Sequence, residues 1–255
     1  MAQMTEPEFW DRIARNRIAL RASGGAAREI EWEGDDPEAL FAALALDAAA
    51  IACSVLDIGC GEGRFTRELS GAADRVVGID LSETAISEAV SGDMPHNLSF
   101  VGGDSRRMPF EDAAFGLVCS RRGPVSDSEV LREVRRVMKP GAQLIALMPG
   151  ESHRIETQEI FGRGMGWPPS RPVRFTVPEM LREAGLELVF FTECYGASYC
   201  ADIAAFAAHL GSIPVIPDFD PAKDEAMLRE VGRKLATPRG IRDTEHMAVF
   251  VARKP

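Results

Sequence analysis

The chain has 255 residues, of which 45% are hydrophobic and 27% are charged, and its net charge is −10. This composition is typical of a globular protein with its own core, and the acidic balance argues against broad contact with nucleic-acid phosphates. The five cysteines include no Cys-x-x-Cys pair, so we expect reduced thiols in a cytoplasmic protein. No signal peptide is visible, and Asp47 interrupts the most apolar stretch, residues 39–56, so we expect no membrane span.

The N-terminal part is predicted to contain two helices. The first covers residues 5–21, and the glycine-containing stretch 22–34 is expected to be a loop. The second helix begins at Pro37, because Asp36 can act as its N-cap and proline suits the first helical position.

Strands then alternate with helices, which predicts right-handed βαβ units and a parallel sheet. Ser82 can cap one of these helices, another covers residues 126–138, and the five strands lie at 53–58, 75–80, 98–101, 115–119 and 144–148. After Pro149 the pattern is less regular, and we expect helices at 178–184, 202–210 and 221–236 and strands at 186–192 and 247–251.

A glycine-rich turn, Gly59-Cys60-Gly61-Glu62-Gly63, follows the first of these strands. A dinucleotide site would need glycine at position 64, where Arg64 stands. The carboxylates of Asp57 and Glu62 would repel a pyrophosphate, but they suit a ligand with an ammonium, a sulfonium and ribose hydroxyls. S-adenosylmethionine (AdoMet) is such a ligand, and a nicotinamide oxidoreductase is disfavoured.

Three acids follow strands at the edge where an open parallel sheet binds its ligands. Asp80 can accept hydrogen bonds from both ribose hydroxyls. Asp104, or the backbone beside it, can meet the adenine amine. Asp57 can hold the methionyl ammonium through water.

The chain resembles the class I AdoMet-dependent methyltransferases in several motifs and in their order. Along the chain these motifs are Asp57-x-Gly59-x-Gly61-x-Gly63, Val77–Ser82, Gly103-Asp104, Met108-Pro109-Phe110 and Val137–Ala142. The resemblance spans about residues 50–149 and implies a Rossmann-like, doubly wound α/β sheet of seven strands, mostly parallel, with an antiparallel last strand and helical insertions near the C-terminus. It implies AdoMet as cofactor and S-adenosylhomocysteine as product, bound by Asp57, Gly59, Cys60, Gly61, Gly63, Asp80, Leu81, Asp104, Ser105 and Ser120. Gly116 departs from the family, in which many members carry an acid there.

We predict one domain over residues 1–255. Within it, residues 1–50 supply N-terminal helices that could form a lid, 51–149 the AdoMet-binding core, 150–245 an acceptor-side cap with the remaining core elements, and 246–255 the last strand.

The acceptor side carries fewer signals. The stretch Ser120–Pro124 lacks the Asn-Pro-Pro-type sequence of enzymes that methylate amines of nucleic-acid bases. Arg121 and Arg122 are candidates to meet an anionic group of the acceptor or the carboxylate of the cofactor. His153 is the candidate general base, although methyl transfer needs alignment more than it needs a base.

We therefore expect transfer of a methyl group to a small molecule by in-line displacement. Methylation of ribosomal or transfer RNA is an alternative, supported by the arginines at positions 121, 122, 154, 163, 171 and 174. An AdoMet-binding protein without catalytic activity is a further alternative. No metal is expected, because the spacing of Cys194, Cys200 and His209 fits no familiar zinc site. The acceptor atom and the oligomeric state are left open.

Overall fold

The structure, a computed structural model, describes residues 4–25, 28–168 and 171–255. The elements follow in the order α1 (Glu6–Ala22), β1 (Arg28–Trp32), α2 (Pro37–Ala52), β2 (Ser54–Ile58), α3 (Arg64–Ser70), β3 (Arg75–Asp80), α4 (Glu83–Ala89), β4 (Leu98–Gly102), β5 (Phe115–Arg121), α5 (Ser128–Val137), β6 (Met138–Pro149), α6 (Ile155–Phe161), α7 (Val173–Glu183), β7 (Glu187–Cys200), α8 (Ile203–Gly211), α9 (Glu225–Leu235), β8 (Ala236–Thr237) and β9 (Gly240–Arg253).

The chain divides into two compact units. We call the larger one the core unit, and it comprises Asp36–Pro149, Val173–Glu193 and Ala248–Pro255. The other, which we call the second unit, comprises Met1–Asp35, Gly150–Pro172 and Cys194–Met247. Strands β7 and β9 contribute residues to both.

The core unit is built on seven strands in the order β7-β9-β6-β5-β2-β3-β4. The pairs β2–β3, β2–β5, β3–β4 and β5–β6 are parallel. Strand β9 runs antiparallel to β6, because the Lys254 amide donates to the Ala142 carbonyl at one end and the Gly150 amide donates to the His246 carbonyl at the other. The predicted α/β sheet with an antiparallel last strand is therefore confirmed.

Apolar runs of the sequence form the centre of this sheet. Every residue of β2 is buried, as expected for a parallel strand with both faces covered. Helix α5 buries Val130, Leu131, Val134 and Val137 on one face. The predicted caps are also present, since the Ser82 hydroxyl accepts from the Ala85 amide and the Asp36 carboxylate accepts from the Glu38 amide.

The second unit combines helices with the polar ends of two long strands. Strand β1 pairs antiparallel with Gly196–Cys200 of β7, and β8 pairs antiparallel with the start of β9. Its apolar cluster includes Phe161, Cys200, Phe206, Leu210 and Val231.

Two expectations about this part of the chain are wrong. The predicted loop 22–34 contains strand β1. This strand is half exposed, so its sequence shows little alternation of polar and apolar residues. Arg239 forms ion pairs with its Glu29 and Glu31. The sheet has nine strands among the described residues rather than seven. Residues 240–246, which are rich in charge, extend β9 because their polar side chains find partners inside the protein.

Within the described residues, no helix combines the length and the apolar character needed to cross a bilayer.

Candidate cofactor site

The carboxyl ends of three neighbouring parallel strands bring the predicted acids to one edge of the core unit. Asp57 lies opposite Gly78 of β3 and Cys119 of β5. Asp80 lies opposite Gly102, two residues before Asp104. The strand register thus places Asp57 and Asp80 on adjacent strands and Asp104 just after the next strand, at the same edge.

The glycine-rich turn between β2 and α3 is fastened to the end of β3. The amides of Gly59 and Cys60 both donate to the Ile79 carbonyl, at 2.8 and 3.1 Å, and the Gly61 amide donates to Asp80 Oδ2 at 2.8 Å. The Gly63 amide donates to the Cys60 carbonyl. Because these amides already have partners, the turn lacks the row of open N–H groups that binds a pyrophosphate.

Gly63 allows α3 to pack closely on the sheet. Its φ is +73°, in the left-handed region, and a Cβ there would overlap the ring of Phe100. The third glycine therefore serves helix packing and the turn conformation together.

Asp80 is held by two backbone donors. Its Oδ2 accepts from the Gly61 amide, and its Oδ1 accepts from the Ser82 amide at 2.9 Å. These bonds fix the side chain in place, and a carboxylate oxygen can accept more than one hydrogen bond, which is the chemistry that binding a diol requires. Leu81, the next residue, is half-buried.

Asp57 is almost completely buried at the end of β2, with 2% of its surface exposed. Burial raises its pKa to about 6, although the hydrogen bond from Thr66 Oγ1 and the positive charge of Arg121 both act to lower it. The charge of Asp80 raises it further. This buried carboxylate fits the predicted indirect contact with an ammonium better than a direct one.

Asp104 is engaged by its own neighbour. Arg106 Nε donates to both carboxylate oxygens, at 3.0 and 3.1 Å, and this hydrogen bonding lowers the pKa of Asp104. The Asp104 side chain is thus engaged by Arg106 while remaining 41% exposed, and the Asp104 carbonyl accepts from the Arg107 amide.

Among the other predicted residues, Ser120 is buried and Cys60 is half-buried. The Ser120 hydroxyl donates to the Ile58 carbonyl at 3.3 Å and ties β5 to β2. The Cys60 thiol lies against Gly78, and burial, with the charges of Asp57 and Asp80, raises its pKa well above the ordinary value. Cys60 therefore packs as a neutral thiol.

Gly116, the departure from the family pattern, has a structural reason. A Cβ at this position would overlap the carbonyl oxygen of Ala52 at the end of α2. An acid cannot occupy this site without moving the helix.

Arg121 and Arg122 lie at the end of β5 and share one partner. Arg122 Nη2 is 2.7 Å and Arg121 Nη1 is 3.8 Å from the carboxylate of Glu38 on α2. The Arg121 guanidinium also lies over the ring of Phe65 at 5.0 Å.

His153 belongs to the second unit and stands beside a buried ion cluster. Its Nδ1 is 3.5 Å from Glu245 Oε2. Arg154, 1% exposed, donates to Asp243 at 3.2 Å and to Glu245 at 2.8 Å. His209 contacts the same guanidinium.

Sequence reasoning missed three residues of the site region. Thr66 donates a hydrogen bond to Asp57, and Arg106 donates to the Asp104 carboxylate. Glu38 forms ion pairs with Arg121 and Arg122. Only Arg106 had a local signal, since it stands two residues after its partner. Contacts between distant segments such as α2 and β5 leave no pattern in one sequence.

Comparison with known proteins matches the part of the chain that carries these residues. Residues 55–141 match the family model described as a methyltransferase domain. The demethylmenaquinone methyltransferase of Lactococcus lactis subsp. lactis (strain IL1403) is 32% identical over 103 residues, which are 37% of this chain and 41% of the relative. The protein of the same description from Staphylococcus aureus (strain MRSA252) is 38% identical over 100 residues, 36% of this chain and 41% of the relative. The chain thus spans less than half the length of these relatives.

Solved structures match over more of the chain. A candidate methyltransferase of Bacillus halodurans C-125 gives a TM-score of 0.63 at 20% identity, covering 84% of this chain and 98% of that chain. The [4+2]-cyclase SpnF gives 0.62 at 19%, covering 98% and 95%. At these identities the likeness shows the fold. Residues 55–141 thus match a methyltransferase domain model, in the part of the chain where the sequence motifs predicted one, and the solved structures share the α/β fold.

Proposed function

We propose that this protein transfers a methyl group from AdoMet to a small-molecule acceptor. The observation that carries the proposal is the fixed carboxylate of Asp80 beside a glycine turn whose amides are already bonded. This arrangement suits ribose hydroxyls and disfavours a pyrophosphate. It lies within the matched methyltransferase domain.

The residues present fit AdoMet. Asp80 would hold the ribose, the backbone at Asp104 and Ser105 the adenine amine, and the turn around Gly61 the amino-acid part, with Asp57 behind it. When bound, the cofactor supplies an electrophilic methyl group on sulfur, open to in-line displacement. The protein's contribution at this edge is to position charge and hydrogen-bond acceptors before the ligand arrives.

The small-molecule acceptor is supported by the curated relatives, whose name describes demethylmenaquinone as the substrate. The RNA alternative loses support because most of the arginines that favoured it are ion-paired. Arg154 is buried with two acids, Arg163 pairs with Asp218 and Asp224, and Arg121 and Arg122 pair with Glu38.

His153 is proposed as general base for an acceptor that must lose a proton, with the buried carboxylate of Glu245 orienting its ring. His153→Gln is expected to keep AdoMet affinity within twofold and to lower turnover at least tenfold. Glu245→Gln should shift the pH dependence of turnover in the same assay. Unchanged turnover of His153→Gln across pH would remove His153 from the mechanism.

The first test is calorimetric titration with AdoMet, with S-adenosylhomocysteine and with NAD. The wild type should bind the first two and not NAD, and Asp80→Asn should weaken AdoMet at least tenfold, because a carboxylate acceptor is lost. Glu83→Gln, on the first turn of α4, is the matched control. No AdoMet binding by the wild type, or an undiminished affinity in Asp80→Asn, would contradict the proposal.

A second candidate function is AdoMet-fold chemistry without methyl transfer. It is favoured by the likeness to SpnF, which is described as a [4+2]-cyclase. Incubation with methyl-labelled AdoMet and separate pools of metabolites and RNA distinguishes the two. Label in a metabolite supports the leading proposal, label in RNA supports the alternative acceptor, and AdoMet binding without label transfer supports the second candidate.

A further inference from the structure

Three charged side chains of the core unit meet between the start of α2 and the end of β5. Glu38 stands in the first turn of α2, and its two carboxylate oxygens face Arg122 at 2.7 Å and Arg121 at 3.8 Å. One carboxylate thus faces two guanidinium groups, and a net positive charge remains. Such a pair of arginines can accept a second carboxylate or exchange one for another.

The position of Arg121 indicates which incoming carboxylate the arginine pair would bind. Its guanidinium lies over the ring of Phe65, the neighbour in sequence of Thr66, whose hydroxyl donates to Asp57. Its charge partly offsets the burial that raises the pKa of Asp57. In an α-amino acid a single carbon separates the ammonium from the carboxylate. Groups that bind the two must therefore be neighbours, and Arg121 is the cation next to the acid assigned to the ammonium.

We propose that Glu38 is an internal carboxylate that occupies the Arg121–Arg122 pair in the ligand-free protein and is displaced by the carboxylate of the cofactor. This assignment rests on the proposed function and deepens it. Glu38 would then set the affinity for ligands that carry a carboxylate, and leave those without one unaffected.

The surroundings of Glu38 permit this exchange. Its side chain is 33% exposed, and those of the arginines are 37% and 41% exposed. Partly exposed ion pairs contribute little to stability, so Glu38 can leave at small cost. Its backbone stays fixed, because its amide donates to the N-cap Asp36.

A purely structural role for Glu38 makes a different prediction. If the bridge only holds the end of β5 against α2, its loss should weaken every ligand of the site alike. The two roles are therefore separated by a pair of ligands that differ in the carboxylate alone.

The experiment compares binding of AdoMet and of decarboxylated AdoMet by calorimetry. Glu38→Gln is expected to bind AdoMet two- to tenfold more tightly and decarboxylated AdoMet with unchanged affinity. Arg121→Ala and Arg122→Ala should each weaken AdoMet at least fivefold and change decarboxylated AdoMet less than twofold. Glu129→Gln, which removes the equivalent first-turn acid of α5 with its Arg132 pair, is the matched control and should change neither.

Equal effects of Glu38→Gln on both ligands, or weaker AdoMet binding in this variant, would overturn the assignment while leaving the proposed function intact. Failure of the wild type to bind either compound would overturn both. Thermal unfolding of each variant separates a binding effect from a folding defect.

Discussion

Asp57 shows how one residue can be useful to a site and costly to the fold. Its pKa in the folded protein, about 6, lies above the ordinary value of 3.8 because burial disfavours the charged form. The folded state therefore holds the proton more tightly than the unfolded chain does. Ionisation of Asp57 costs stability as pH rises from about 4 to 6, and above pH 6 the cost is fully present.

Asp57→Asn should therefore raise the free energy of unfolding at pH 7.5, by at most about 3 kcal/mol. The gain should be smaller at pH 4.5, and AdoMet affinity should fall, because the charge beside the ammonium is lost. Urea unfolding of variant and wild type at both pH values measures this. Asp243, whose pKa burial also raises to about 6, is present in both proteins and cancels in the comparison. A less stable variant at pH 7.5 would show that the ionised carboxylate is better compensated than its burial suggests.

At the scale of elements, the junction between α6 and β9 depends on one buried cation. Arg154 precedes α6 in a left-handed conformation, with φ of 53°, and its guanidinium binds Asp243 and Glu245 of β9. Thr157 of α6 donates to the same Asp243 at 2.6 Å. The helix and the strand are thus joined through charge in addition to the apolar cluster that contains Phe161 and Ile241.

Arg154→Leu is expected to lower the free energy of unfolding by about 3–5 kcal/mol, because two buried carboxylates lose their partner. Arg163→Leu is the matched control, since Arg163 also pairs with two acids, Asp218 and Asp224, but is 34% exposed. The control should cost less than about 1 kcal/mol. Chemical denaturation of both variants decides the matter, and equal losses would show that burial of the Arg154 cluster contributes little.

At the scale of the whole molecule, the sequence predicted what is local and missed what is distant. The strand ends at Asp57, Asp80 and Asp104, the Ser82 cap and the buried face of α5 all follow from spacing within one element. Strand β1 was missed because its five residues carry three charges and no clear alternation. The Arg154 cluster and the Glu38 bridge join segments far apart in the chain, so no window of sequence reveals them.

The net charge of −10 can also be considered together with the positions of the arginine side chains. Many arginines counted from the sequence as a basic surface are bound to acids in the structure, at positions 121, 122, 154 and 163. Each such pair cancels a positive and a negative charge, so the net charge stays at −10 while fewer uncompensated arginines remain for a polyanion. This favours small acceptors over a polyanion.

The glycine turn fastened to β3 has a consequence for the thermodynamics of binding. Because the amides of Gly59, Cys60 and Gly61 make their hydrogen bonds within the protein, the shape of the turn is set when the chain folds. A ligand then meets a preorganised surface and loses little affinity to the ordering of a loop. Recognition at this turn therefore depends on complementarity to a fixed shape, with little entropy lost by the protein.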